Sequence, residues 1–362
     1  MRRALLAVCL LFPVVMLPQV FLRGEDRPRE LKPAWVHIVV VTAKVWPAGG
    51  MPEGAAFERL NQDGVRMAPL FSPSDSSAAA AAGLWSGRWP RTNGVTGADR
   101  ALPAGAWTLA STARSTGAAT AARLEEPFAT VTGIGGFDDV REEPRLAIDR
   151  LAEDVAAFYE RHPDQRTVLW VHLADAGPRG SRLADAIGAV QQAIGDGQRR
   201  LDTLTLITGL AAGPGPYPDS TALVPLFAEL PTRLNAGTVG TPHLSLIDVA
   251  GGIADVLRLP YAAAQSRAAG MLYALSGGRA LQPVEVRIGD VPIYRRANVR
   301  VVGAPGTAEA LDQGLFTRTP RPLSGNEAAA ALREAFEWRA KLNETARPAP
   351  AAQPADAWDA WR

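Results

Sequence analysis

Apolar residues along this chain fall into two alternating patterns. Short continuous runs, rich in β-branched residues, stand at 36–41 (VHIVVV), 167–173 (TVLWVHL) and 201–208 (LDTLTLIT). Runs of that length without polar alternation read as strands buried on both faces. Between them lie stretches with helical spacing: 53–63, closed by Gly64 as a natural C-cap, the Ala-rich 77–85, 107–117, 145–161, 181–195 and 244–257. In 145–161, Leu146, Leu151, Val155 and Phe158 share one side. Strands alternating with amphipathic helices predict an α/β fold, a mostly parallel sheet covered on both faces. After about residue 280 the period changes. The stretch VEVRIGDVPIYRRANVRVV alternates apolar and polar residues around a Gly-Asp turn, which predicts an antiparallel hairpin, and a final amphipathic helix follows over 326–342.

The two ends differ from this pattern. Met1-Arg2-Arg3 precedes an uncharged run, ALLAVCLLFPVVMLPQVFL, over 4–22. As a helix it would rise about 28 Å, close to the hydrocarbon thickness of a bilayer. The run ends in bulky Val20-Phe21-Leu22 without a small-x-small cleavage site, and Val8 makes a poor lipoprotein box before Cys9. An uncleaved single-span anchor is therefore favoured over a cleaved signal segment. Arg2 and Arg3 favour an inside N-terminus, although Arg23, Arg27, Arg29 and Lys32 follow the run. Residues 345–357 are Ala/Pro-rich and unable to bury a core, so the tail is expected to be disordered. It ends in Trp358-Asp359-Ala360-Trp361-Arg362, and Trp358 and Trp361 are candidate contacts for a membrane interface or a partner, against a solvated tail. The expected organisation is 1–23 membrane anchor or signal segment, 24–34 linker, 35–278 α/β domain, 279–344 small C-terminal subdomain and 345–362 tail.

Composition narrows the function classes. The chain has 362 residues, 47% hydrophobic, 21% charged, with a formal net charge of +1. No basic stripe marks a nucleic-acid partner. The single cysteine, Cys9, lies in the N-terminal run, so disulfides, thiolate metal sites and a cysteine nucleophile are excluded from the rest. The four histidines, His37, His162, His172 and His243, do not cluster as a metal site would.

The order of segments resembles one family, the sulfatases and their phosphatase relatives of the alkaline phosphatase superfamily. The strand ending Val41-Thr42-Ala43-Lys44 resembles the first strand, and FERLNQDGV (57–65) the leading helix. SAAAAAGLWSGRWPRTNGV (77–95) is similar to the signature helix, Gly135-Gly136-Phe137-Asp138 to the GFD turn, and LWVHLADA (169–176) to "LWVHYFDPH". LTLITGLAA (204–212) stands where "TLVVVTADHG" belongs, Val224-Pro225-Leu226 matches "RVPLI", and 245–259 is similar to "SLVDVAPTLLDLAGL". The resemblance covers roughly 35–342. It implies an alkaline-phosphatase-like three-layer sandwich with a mostly parallel central sheet and a small C-terminal antiparallel subdomain.

It also implies chemistry, namely ester hydrolysis at a divalent metal held by aspartates and imidazole. The family's first aspartate positions fall at Ala43 and Lys44, its Asp-His pair at Leu210 and Ala211, its histidine of "DPH" at Gly177, with Asp175 retained, and the arginine before Val-Pro at Leu223. The nucleophile position is Ser77, which also reads as a helix N-cap, as does Asp75. The signature arginine is replaced by Ala81. No metal and no cofactor is expected. His172 and Asp175 are pocket candidates, though a packed histidine is the commoner reading. Lys44 is a candidate to fill the vacated metal position and to pair with Asp175 or Asp139. The pattern predicts a non-catalytic, membrane-anchored, extracytoplasmic domain with lipid bound through 4–22 and a membrane or envelope protein partner. The alternative is a hydrolase with a rearranged site that uses Arg88, Arg91 and Lys44 for the anion.

Overall fold

The structure, a computed structural model, describes residues 37–47, 52–97, 100–103, 105–125, 136–214, 219–231, 234, 239–240, 244–257, 259, 283–312 and 319–345. The expected anchor over 4–22, the linker, His243 and the tail with Trp358 and Trp361 lie outside these residues. No described helix is long and apolar enough to cross a membrane.

The central sheet has the order β4-β3-β5-β1-β6-β7-β2-β8, built from β1 (His37–Trp46), β2 (Val65–Phe71), β3 (Ala119–Leu124), β4 (Asp139–Glu142), β5 (Thr167–Leu173), β6 (Thr203–Ala212), β7 (Leu223–Glu229) and β8 (Val239–Gly240). Pairing is parallel from β4 to β6, and β7 runs antiparallel to both β6 and β2. The middle strands are continuous apolar runs because each is buried on both faces. Ile38, Val40, Val168, Trp170, Leu204 and Leu206 point to one face, against the helices Ser77–Ser86, Leu109–Ser115 and Ile247–Leu257. Val39, Val41, Leu169, Val171 and Ile207 point to the other, against α1 (Ala55–Asp63), α5 (Ile148–Arg161) and α6 (Ser181–Ile194). Each such side chain contributes about 1.5–3 kcal/mol when withdrawn from water. The Ser77–Ser86 helix is α2, Pro90–Asn93 is α3 and Leu109–Ser115 is α4.

The expected strands lengthen at their carboxyl ends. β1 runs to Trp46 and β6 to Ala212, because each finds a ladder partner in the other. β3 has little sequence signal: ATAARL is alanine-rich and places Arg123, 1% exposed, inside the protein. Its guanidinium is held by Asp139 and Asp154.

The expected C-terminal hairpin is part of a larger sheet. β9 (Val284–Ile288), β10 (Val291–Arg296) and β11 (Val299–Val302) form two successive hairpins, joined by β12 (Glu309–Asp312) and β13 (Arg321–Pro322) in the order β13-β12-β11-β10-β9. The last helix spans Gly325–Thr345 and packs Ala331, Ala335 and Trp338 on this sheet. The two sheets share an apolar seam of Phe71, Trp89, Ile247, Val284, Val286 and Ile293. Two buried acids clamp the seam. Asp219 accepts from Arg295 and from Arg300 Nη2 (2.8 Å), and Glu285 accepts from Arg339 Nε (2.8 Å) and faces Arg91 Nε at 3.3 Å.

Truncating one member of a buried charge cluster leaves the others uncompensated. Asp219→Ala is expected to cost about 3–5 kcal/mol, read as a lower urea midpoint at unchanged slope. A second prediction concerns His37, at the amino end of β1. Its Nδ1 meets Thr167 Oγ1 at 2.9 Å and its ring stands edge-on to Tyr159. Burial, helped by the Arg199 charge and opposed by Asp202, pushes its pKa down to about 4. The unfolded chain takes up this proton near pH 6.5, whereas the folded chain refuses it until about pH 4. Stability is therefore complete above about pH 6.5 and falls towards pH 4, by up to about 1.4 kcal/mol per unit. Unfolding curves from pH 7 to 4 should show the slope, and His37→Gln should flatten it.

Candidate functional site

In open α/β sheets, ligands bind beyond the carboxyl ends of the strands, where neighbouring strands part. Here that edge is formed by β1, β5 and β6, and its two longest strands stay paired to their ends. The β1–β6 ladder continues past Ala43↔Gly209 to Val45↔Ala211 and Trp46↔Ala212. Gly209 permits this, since a Cβ there would lie 2.8 Å from Trp46 Cβ and 2.8 Å from the Ala211 carbonyl oxygen. Trp46 then stacks on Phe227, which meets Phe57 edge-on. Leu210 is fully buried in the core of the first face, and its carbonyl accepts from Ser72 Oγ. Ala43 is fully buried on the opposite face, and Ala211 is 5% exposed. Lys44 is half-buried beyond Thr42.

Helix α2 begins one residue earlier than the Ser77 cap reading requires. The N-cap is Ser76, and Ser77 is the first helical residue, half-buried. Asp75 does not cap the helix either. Its carboxylate accepts the Gly289 N–H (3.0 Å) in the β9–β10 turn, while Asp75 N–H donates to the Arg287 carbonyl (3.1 Å). The loop that would present a nucleophile is thus tied to the small sheet. Ala79, Ala80, Ala81 and Ala82 are all 0% exposed, so no flank of this turn of helix has room for an arginine.

His172 is enclosed, with Nδ1 2.8 Å from Thr42 Oγ1, and the same hydroxyl accepts Trp170 Nε1 at 2.9 Å. Trp170 packs with Trp85 and Phe137, so the Phe137 of the GFD turn is a core residue, and Asp138 N–H is held by Thr120 Oγ1. Asp175 is exposed, and its carboxylate accepts the Gly177 N–H at 2.9 Å. The structure gives the two pocket candidates separate surroundings, one in the core and one in a surface turn. Asp139 is not a partner for Lys44. Two strands separate β4 from β1, about 14 Å, and the register sets Asp139 level with Val39, about 17 Å below Lys44 along the strand. Arg123, Arg141 and Arg161 surround Asp139 instead. Arg91, proposed for an anion, is paired with Glu285.

One polar cluster at this edge had no sequence signal. Glu125, just past β3, accepts Leu146 N–H (2.7 Å), Ala174 N–H (2.8 Å) and both terminal nitrogens of Arg182. Burial works to raise the Glu125 carboxyl, but the bonds from Arg182, Leu146 and Ala174 outweigh it and hold it below the usual carboxylate range. Arg182 also donates to the Asp175 carbonyl at 3.1 Å. This fixes the turn after β5, where Gly177 has φ 77° and a Cβ would lie 2.9 Å from Arg182 N. A histidine at 177 is incompatible with that turn.

The residues at this edge do not fit the divalent metal that the resemblance implies. Alanine, leucine, glycine and a lysine stand at the positions that the resemblance aligns with the ligands, and among the described residues no group of three or more His, Cys, Asp or Glu side chains is placed to hold a metal ion. Restoring single ligands should therefore damage the fold. Leu210→Asp is expected to cost at least about 2 kcal/mol, and Gly177→His to lower the melting point as well. Melting curves with and without added Ca²⁺ check this; a rise on adding Ca²⁺ would show that the edge can reopen around a metal.

No family model and no curated protein sequence matches the chain. Solved structures do. A phosphonate monoester hydrolase of Agrobacterium radiobacter superposes with a TM-score of 0.66 at 14% identity, over 86% of this chain and 96% of that one. A protein of the alkaline phosphatase superfamily from Vibrio parahaemolyticus gives 0.63 at 13%, over 87% and 89%. A 2-O GAG sulfatase gives 0.60 at 12%, over 86% and 91%. A likeness at such identities is one of architecture, and the architecture expected from the order of segments is the one observed: this chain has the fold of the sulfatases and their alkaline phosphatase superfamily relatives.

Proposed function

We propose that this chain is a non-catalytic sulfatase-like domain that acts through its surface, held at the membrane by residues 4–22 on the extracytoplasmic side, as an accessory subunit of a membrane protein assembly. One observation carries the reading: the positions that the resemblance aligns with the family's ligands and signature arginine hold Ala43, Lys44, Leu210, Ala211, Gly177 and Ala81, none of them a ligand for a hard cation. Leu210 and Ala81 are packed core, the β1–β6 ladder runs on to Trp46, and Gly177 sits where no side chain fits. Among the described residues this edge offers no carboxylate and imidazole set for the hard cation that ester hydrolysis in this fold family uses. The two tryptophans of the tail, Trp358 and Trp361, are assigned to the contact with the partner or the lipid interface.

The test is detergent extraction of native membranes, capture of the chain under mild conditions, and identification of what comes with it. A stoichiometric membrane protein is expected, reduced when Trp358 and Trp361 are both changed to Ala. The captured chain is expected to carry no stoichiometric Ca²⁺, Mg²⁺ or Zn²⁺ and to leave sulfate and phosphate esters intact. Isolation of the chain alone, with metal and turnover, would replace this reading by a hydrolase with a rearranged site.

A further inference from the structure

At the opposite end of the sheet from this edge, a cavity of about 10 Å³ is lined by Gln191, Ile194, Arg200, Thr203, Thr205 and Glu229. That is room for about one water molecule. The lining is polar and incompletely paired. Gln191 Nε2, on α6, is buried and has no protein partner. Glu229, at the end of β7 and 4% exposed, accepts Arg200 Nη2 at 2.9 Å through Oε1, and each carboxylate oxygen has lone pairs for a further donor. The Thr203 hydroxyl donates to the Arg199 carbonyl at 2.6 Å, which leaves its oxygen as an acceptor only.

An occupant must therefore accept from an amide and donate to a carboxylate at once. A metal cation cannot accept a hydrogen bond and would face Arg200. An anion would face Glu229. An apolar group would leave both sides unmet. Water does both, and serves Gln191 whichever amide atom faces it.

We propose that one ordered water is bound between Gln191 and the Glu229 carboxylate as a fixed part of the folded chain. It links α6 to β7, the strand at which the sheet reverses direction.

Gln191→Met tests this in the full chain, because the two possibilities move stability in opposite directions. If the water is there, the substitution removes one of its partners and weakens the bridge, and the melting point falls by about 2 °C or more. If the cavity is dry, the substitution deletes an unpaired buried amide and the melting point rises. The exposed neighbour Gln192, changed to Met, is the control and should move it by neither. A crystal structure at about 1.8 Å should show one peak within hydrogen-bond reach of Gln191 and Glu229. A dry cavity, or a rise in melting point for Gln191→Met, overturns the proposal.

Discussion

The rest of the molecule depends on the parallel ladder between β1 and β6, which pairs His37 with Thr203 at one end and Trp46 with Ala212 at the other. It is the spine of the sheet, with β5 hydrogen-bonded to the other side of β1 and β7 to the other side of β6. In folds of this kind a crevice opens where central strands separate at their carboxyl ends. Here they remain paired through the positions where ligands would be expected. Backbone hydrogen bonding and side-chain packing claim those residues first. Gly209 allows the approach and Trp46 seals it against Phe57 and Phe227.

Charge serves the assembly of the fold in a similar way. Arg123, Arg182, Arg295 and Arg300 are nearly or fully buried, and each donates to protein carboxylates. Buried pairs add little net stability over apolar substitutes, but they penalise any arrangement in which the partners fail to meet. Each joins segments far apart in the chain. Asp219 fastens the small sheet to the large one, and Glu125 fixes the loop after β5. These clusters hold the carboxyl edge and the seam between the sheets in one geometry.

The sheet was legible where local pattern and burial agree. The apolar runs of β1, β5 and β6 can hardly be anything but interior strands. Their helices repeat every three to four residues on one face. β3 was hidden because ATAARL lacks the β-branched signature and contains a charge, and the charge is tolerable only because Asp139 and Asp154 meet it in space. The C-terminal alternation announced antiparallel pairing, but one hairpin was expected where five strands assemble, since β12 and β13 are too short to show a period. At the candidate site, residue identities showed that the ligand types are missing. They did not show that Leu210 is packed in the core or that the β1–β6 ladder runs on to Trp46.

The sequence by itself determined the fold class and the strand–helix order, because hydrophobic period is a local property, and it carries alanine, leucine, glycine and lysine at the positions that the resemblance aligns with metal ligands. Only the tertiary structure decided that β1 and β6 stay zipped to Trp46, that Ser76 and not Ser77 stands at the N-cap position of α2, that His172 lies in the core, and that Glu125 finds Arg182. Each of these is a meeting between residues distant in the chain, set by strand register and packing.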